Sequence, residues 1–375
     1  MRYRNVCLEA FAYTLPEEVV TSAEIERWLE PLYTRLRLSE GRLELMTGIA
    51  QRRFWPPAML PSEKSVETAE KAIRAAGIDK QHVGALIHAS VCRDFLEPAT
   101  ACGVHHRLGL PAQCMVYDVS NACLGLLNGM IQVANMIELG QIRAGVIVGT
   151  ESSRALVETT IAQLNADTSL GRNDIKPAFA SLTIGSGSAA IVLVDRALSR
   201  TGNRLLGGVM GTNTRQCGLC QSGRDESAGA NMRPLMSTDA ETLMHEGIAA
   251  ARETFAAFLA ELGWQADDID KTFCHQVGRT HQKLLFEALG LDGAMDYSTL
   301  AFLGNTGSVA LPMTAALGME NGHLKPNDQV ALLGIGSGIN VIMLGVDWQR
   351  SLVEQKSAMA GPHTQTAGLK RVRAD

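Results

Sequence analysis

The chain has 375 residues, 46% of them hydrophobic and 19% charged, enough for one large core or two fused ones without disulfide staples. Its formal net charge of −5 offers no basic field to a nucleic-acid backbone. No apolar run reaches the roughly 18 residues of a membrane span, and the first ten residues lack the apolar core of a signal peptide, so a cytoplasmic enzyme without nucleic-acid or membrane partners is expected.

Along the chain, the segment Ala75–Ser90 reads as a helix end, a turn and a buried strand, and a second copy lies at Leu262–Gln276. Each copy then reaches a Leu-Gly-Leu, at 108–110 and at 289–291. The first continues through the strand-like Cys114–Val119 into the turn Asn121-Ala-Cys-Leu-Gly, then into helical spacing from Leu124 to Leu139. The second reaches the turn Gly304-Asn-Thr-Gly-Ser. A strand at Ala144–Gly149 matches one at Gln329–Gly334, and the offsets stay at roughly 181–187 residues. The chain therefore reads as two copies of one α/β unit with mostly parallel, helix-covered strands. The expected boundaries are residues 1–195 for the first half and 196–350 for the second, with a polar, mostly disordered tail at 351–375.

Eight cysteines are spread along the chain and do not form a secreted disulfide framework. Cys217 and Cys220 have CxxC spacing but no second ligand pair, so they are read as two loop thiols and no metal is expected. Cys92, Cys102, Cys114 and Cys274 are read as buried structural cysteines. Cys123 is different, because it falls at a strand-to-helix turn among small residues. Unpaired amides and the helix dipole at such a turn favour a thiolate, which predicts a lowered pKa and a nucleophile. Duplication brings the Cys123 and Asn305 turns together near a pseudo-twofold axis, with His275 beside them at the end of the second copy's strand.

Asp118-Val-Ser-Asn-Ala-Cys-Leu-Gly125, Cys274-His-Gln-Val277 and Gly304-Asn-Thr-Gly307 resemble the three catalytic motifs of the β-ketoacyl-acyl-carrier-protein synthase III family. Further matches are Thr47–Arg53, Ile184–Ser188 and Leu333–Gly338, and the likeness runs from about Tyr3 to Trp348. The resemblance implies a thiolase-like fold, two duplicated α/β halves in a five-layered αβαβα core, and a homodimer. It implies no permanently bound cofactor, with coenzyme A or acyl-carrier-protein thioesters as substrates. It also implies that Cys123 carries an acyl group, that His275 and Asn305 hold the second donor's enolate oxygen, and that the backbone N–H groups of Cys123 and Ser337 form the oxyanion hole. Losing one such donor costs on the order of 3 kcal/mol of barrier.

Within that family, Ser90–Thr100, His275–His281 and Leu332–Asn340 most resemble the OleA group, which condenses acyl-CoA molecules in bacterial olefin biosynthesis. That likeness makes Glu97 the base that removes an α-proton, reaching the partner subunit's site, and implies condensation without decarboxylation. The alternative is a synthase III that decarboxylates malonyl thioesters; a third reading is a silent binding protein, against which the intact Cys123, His275 and Asn305 speak. The chain departs from the family at Arg42 and Met46, where a tryptophan and an arginine would clamp coenzyme A. Arg52, Arg53 and Trp55 are the expected substitutes for that clamp, and Arg279 is expected with them among the residues that bind substrate or coenzyme A.

Overall fold

The computed structural model describes residues 1–223 and 235–352. Its thirteen strands among these residues are β1 (Val6–Thr14), β2 (Glu18–Thr21), β3 (Gln51–Phe54), β4 (Val83–Ala89), β5 (Met115–Val119), β6 (Ala144–Glu151), β7 (Gly187–Asp195), β8 (Arg204–Thr212), β9 (Cys220–Ser222), β10 (Met236–Thr238), β11 (Lys271–Cys274), β12 (Gln329–Gly336) and β13 (Asn340–Asp347). Nine of them form one sheet in the order β11-β12-β13-β8-β1-β7-β6-β4-β5.

The sheet repeats itself about the β1–β8 seam. On one side β4 runs parallel to β6, which pairs antiparallel with β7, which pairs antiparallel with β1. On the other side β11, β12, β13 and β8 follow with the same directions. The expectation of mostly parallel strands is corrected: five of the eight pairings in this sheet are antiparallel, because β7, β1, β8 and β13 alternate in direction at its centre. The place of β5 beside β4 is taken in the second copy by a single parallel bridge between Thr272 and Asp296. Matching glycines end the matching helices: Gly77 (φ +63°) closes Pro61–Ala76 and Gly263 (φ +72°) closes Ala240–Leu262, where a left-handed residue without a β-carbon satisfies the last carbonyls. At the seam Cys7 of β1 stands opposite Arg204, and the residues before β1 extend the pairing through an antiparallel bridge from Arg2 to Gly207.

Five layers follow from the burial. Helices Pro61–Ala76 and Thr100–Leu108 cover one outer face through Ala69, Ala72, Ile73 and Val104, packed on Leu86, Val146 and Val192. Helices Ala240–Leu262 and Arg279–Leu289 cover the other through Phe255, Phe258 and Leu285, packed on Leu333 and Met343. Between the two half-sheets lie Gly125–Glu138 and Ala310–Glu320, whose Leu127, Met130, Leu311 and Met313 share a core with residues from both copies. A helix apolar on nearly every side, such as Ala310–Glu320, is stable only when enclosed in this way. Strand β6 is buried along all eight residues and apolar from Ala144 to Gly149, the character of a strand covered on both faces. The polar tail expected at the C-terminus lies, from residue 353 onward, outside the described residues.

Candidate active site

Cys123 stands in the turn between β5 and the helix Gly125–Glu138, two residues before the helix begins. Ala122 just before it adopts φ +42°, a left-handed conformation that a larger or branched residue would resist. The turn is closed by the Leu124 N–H donating to the Asn121 carbonyl at 2.9 Å. Asn121 is braced on both sides: its amide donates to Asn128 Oδ1 at 2.7 Å, and its own Oδ1 accepts from Asn340 Nδ2 at 3.1 Å. That second bond ties the nucleophile turn of the first copy to the β12–β13 hairpin of the second.

The hairpin brings Ser337 to the thiol. Gly336 leaves room for this approach, since a β-carbon there would lie 2.9 Å from Leu124 Cγ and 3.6 Å from Cys123 Cβ. The backbone N–H groups of Ser337 and of Cys123 itself lie near enough to Cys123 Sγ to favour its thiolate. These are the two amides expected to form the oxyanion hole.

The expectation of a lowered thiol pKa is corrected by the structure. Although part of Cys123 is reachable at the surface, its sulfur is wrapped by protein, and burial is the largest influence on it. The negative charge of Glu151 and the neighbouring Cys220 push the same way, the two amides oppose them, and the thiol is pushed up to about 12. Local sequence reveals a helix start but neither the depth of the sulfur nor a carboxylate 28 positions away.

His275 follows β11 and is held by its N–H donating to the Leu333 carbonyl at 3.1 Å. The residue is buried, and neither ring nitrogen has a hydrogen-bond partner among the described residues. Burial first and the nearby His281 second lower its pKa to about 3, so the ring is neutral and one N–H is unused. His281 is itself lowered by burial to about 4. The neighbouring Gln276 is fully committed: its oxygen accepts from the N–H groups of Thr299 and Leu300 at 2.9 Å, and its nitrogen donates to the Tyr297 carbonyl at 2.7 Å.

Asn305 lies in a turn fastened to the first copy. Its N–H donates to the Thr183 carbonyl at 2.9 Å, and its carbonyl accepts from Gly185 N–H at 2.8 Å. Gly185 is obligatory at this crossing, because a β-carbon would sit 2.0 Å from the Leu303 carbonyl oxygen. Asn305 Oδ1 accepts from Gly307 N–H at 3.0 Å, which turns the Nδ2 donor away from that contact. Ser308 anchors the turn's far end by donating to the Ala89 carbonyl at 3.2 Å and to Glu151 Oε1. Ser337 of the second copy thus meets Cys123 of the first, Glu151 lies between the thiol and the Asn305 turn, and His275 stands at the end of β11 beside Leu333 of β12.

The remaining expected residues lie elsewhere. Glu97 is exposed in the 90–99 loop and makes no hydrogen bond or ion pair among the described residues; Phe95 and Leu96 beside it are 57% and 61% exposed. Arg52 and Trp55 require a correction as ligand contacts, since both are interior. Arg52 donates to Ser22 Oγ and the Leu182 carbonyl at 3.0 Å, and Trp55 Nε1 donates to the Glu151 carbonyl at 3.0 Å. Arg53 is turned to the Pro16 carbonyl at 2.8 Å. Arg279 is exposed at the start of its helix and packs on Gly48, two residues after Met46. Cys102, expected in the interior, is exposed, whereas Cys114 and Cys274 are buried. Among the described residues no cluster of three or more His, Cys, Asp or Glu side chains is arranged to hold a metal ion, and no helix is long and apolar enough to cross a membrane.

Two family descriptions match the chain: a thiolase N-terminal domain over residues 59–205, and a 3-oxoacyl-[acyl-carrier-protein] synthase III C-terminal domain over residues 259–348. An acyl-CoA:acyl-CoA alkyltransferase of Shewanella oneidensis is 42% identical over 351 residues, covering 93% of this chain and all of that protein. The chain belongs to the acyl-CoA:acyl-CoA alkyltransferase (OleA) family. The enzyme of that name from Xanthomonas campestris pv. campestris is 35% identical over 93% of the chain. A crystal structure of Xanthomonas campestris OleA with a cysteine replaced by serine, holding lauric acid and lauroyl-CoA, superposes with a TM-score of 0.86 at 34% identity, over 92% of this chain and all of that one. The protein is thus an acyl-transferring enzyme of the OleA family on the thiolase fold.

Glu151 was not singled out from the sequence. It ends the fully buried strand β6, is itself buried, and contacts both the Asn305 turn and the loop after β4. An acid closing an otherwise apolar buried strand was the available signal.

Proposed function

We propose that this enzyme joins two acyl-CoA molecules by a Claisen condensation without decarboxylation, through an acyl group carried on Cys123. The observation that carries the reading is the pair of amides, from Cys123 and Ser337, aimed at one buried thiol from opposite copies of the duplicated unit. In the first half-reaction Cys123 sulfur attacks the thioester carbonyl, its proton passes to the departing coenzyme A sulfur, and the two amides hold the tetrahedral oxyanion. In the second, Glu97 of the partner subunit removes an α-proton from the second acyl-CoA. The unused His275 N–H and Asn305 Nδ2 hold the resulting enolate oxygen, and the carbanion attacks the acyl-enzyme. Cys123 leaves as the β-ketoacyl-CoA forms.

A homodimer is part of this reading. Strand β5 is an open sheet edge with Met115 exposed, and Val91, Phe95 and Leu96 make an apolar loop next to Glu97, which is surface suited to a second copy. The acyl chains need apolar room, and a cavity of about 800 Å³ opens between helices Arg154–Ala166 and Lys176–Phe179 and the β9–β10 ribbon, lined by Leu164, Leu170, Leu235 and Met236. Cys220, a neighbour of the Cys123 thiol, belongs to that ribbon. Arg279 is the side chain we assign to the coenzyme A phosphates. The halves 1–195 and 196–350, a cytoplasmic location for a chain of free thiols, and a place in fatty-acyl lipid metabolism complete the reading.

Product analysis tests it. Acyl-CoA alone should yield a β-keto product with the carbons of both chains. A product that appears only when a malonyl thioester is added contradicts the reading and favours the decarboxylating alternative.

A further inference from the structure

We propose that Glu151 is a positioning residue of the condensation step, tying the turn that carries Asn305 to the loop that leads to Glu97. This rests on the condensation proposed above. A carboxylate is costly to bury unless its environment answers it, and Glu151 is only 6% exposed. Its Oε1 accepts from two directions: from the Ser308 hydroxyl, and from the Val91 N–H at 3.2 Å.

The first direction reaches Asn305 in three links. Ser308 follows Gly307, whose left-handed backbone (φ +58°) lies against the Glu151 carboxyl, with a β-carbon there coming within 3.4 Å of Cδ. Gly307 N–H in turn holds Asn305 Oδ1 at 3.0 Å and so sets where Nδ2 points. The second direction begins the 90–99 loop: Ser90 Oγ donates to the Thr150 carbonyl at 2.9 Å, Val91 N–H reaches Glu151, and Glu97 lies six residues on. One oxygen therefore fixes two elements that condensation uses and acylation of Cys123 does not, the Asn305 turn of its own site and the loop that carries Glu97 to the partner subunit's site. A charged acceptor suits the task because charge-assisted bonds are roughly twice as strong as neutral ones. The titratable side chains nearest the carboxylate are His88, Cys92 and Cys123, and burial holds all three toward their neutral forms.

The test uses the full-length enzyme with lauroyl-CoA as probe, measuring acyl-enzyme formation and product formation separately by rapid quench. Glu151→Ala should slow product formation by about 10- to 100-fold, the range for losing hydrogen bonds to a charged group, while Cys123 acylates at the parent rate or faster. Glu151→Gln keeps the acceptor oxygen but not its charge, and should recover product formation in part, to about tenfold above Glu151→Ala. Product formation in Glu151→Ala within threefold of the parent, an equal loss in both steps, or no recovery in Glu151→Gln would each overturn the proposal. Should Glu151→Ala not fold, Ser308→Ala removes the donor instead; it should show the same split, and parent-like product formation in that variant overturns the proposal. Failure of the underlying reading is separate, because it appears in the parent as an absence of acyl mass on Cys123.

Discussion

Reactivity of Cys123 as a function of pH is the most exposed consequence of the site's electrostatics. Burial and the Glu151 charge outweigh the two amides, leaving the thiol at about 12. At pH 8 the thiolate fraction is then about 10⁻⁴, and it grows about tenfold for each pH unit up to pH 10 and beyond. Alkylation by iodoacetamide, followed as carbamidomethyl mass on the Cys123 peptide, should rise about tenfold per unit from pH 7 to 10 without levelling. A short cysteine peptide with both termini blocked, in the same buffers, with an ordinary thiol near about 8.5, should flatten above about pH 9. A plateau for Cys123 below pH 9 would refute the reasoning, because the amides would then dominate over burial. If the profile holds, the free enzyme keeps its nucleophile protonated, and acyl-CoA must arrive before the proton leaves.

Acid stability follows from the histidines. His275 is neutral in the fold with its pKa at about 3, so the unfolded chain gains the proton first as pH falls below 6.5. The parent loses about 2 kcal/mol from this residue between pH 7 and pH 5, and His275→Gln should lose that much less in urea unfolding; an unchanged pH difference contradicts it. His275→Ala and Asn305→Ala should each slow carbon–carbon bond formation by about 10²-fold while affecting Cys123 acylation far less; equal losses in rapid-quench kinetics would assign them to both steps. Glu97→Ala and Cys123→Ala homodimers should each be inactive, and subunit exchange should restore part of the activity, since a mixed dimer has one complete site. No rescue in demonstrably mixed dimers would return Glu97 to its own subunit's site or remove it from the chemistry.

The duplicated architecture was legible because it is written locally: the same C-capping glycine, the same buried strand and an Asn-bearing turn occur in order in both copies. The turn around Cys123 was legible for the same reason, since strand spacing changes to helical spacing within a few residues. What local pattern does not carry is depth. Arg52 lies in a basic run that reads as a surface clamp, yet Ser22 and Leu182, from distant parts of the chain, enclose it. The thiol pKa was misjudged by the same route, as a helix start is visible in sequence while the wrapping of the sulfur and the approach of Glu151 arise only when β6 is set beside β4. Cys102 was expected inside on composition, but its position on the helix Thr100–Leu108 faces outward.

The central claim, that one acyl chain rests on Cys123 and a second acyl-CoA attacks it, is tested most directly by a chase. Enzyme acylated with a ¹³C-labelled acyl-CoA is freed of excess substrate, digested in part to map the label, and mixed in the remainder with an unlabelled acyl-CoA of different chain length. The account predicts label on the Cys123 peptide and then a single β-keto product that carries the labelled chain at its keto end and the unlabelled chain at its thioester end. Label on Cys217 or Cys220, or a Cys123 acyl group that the second acyl-CoA leaves in place, would contradict it.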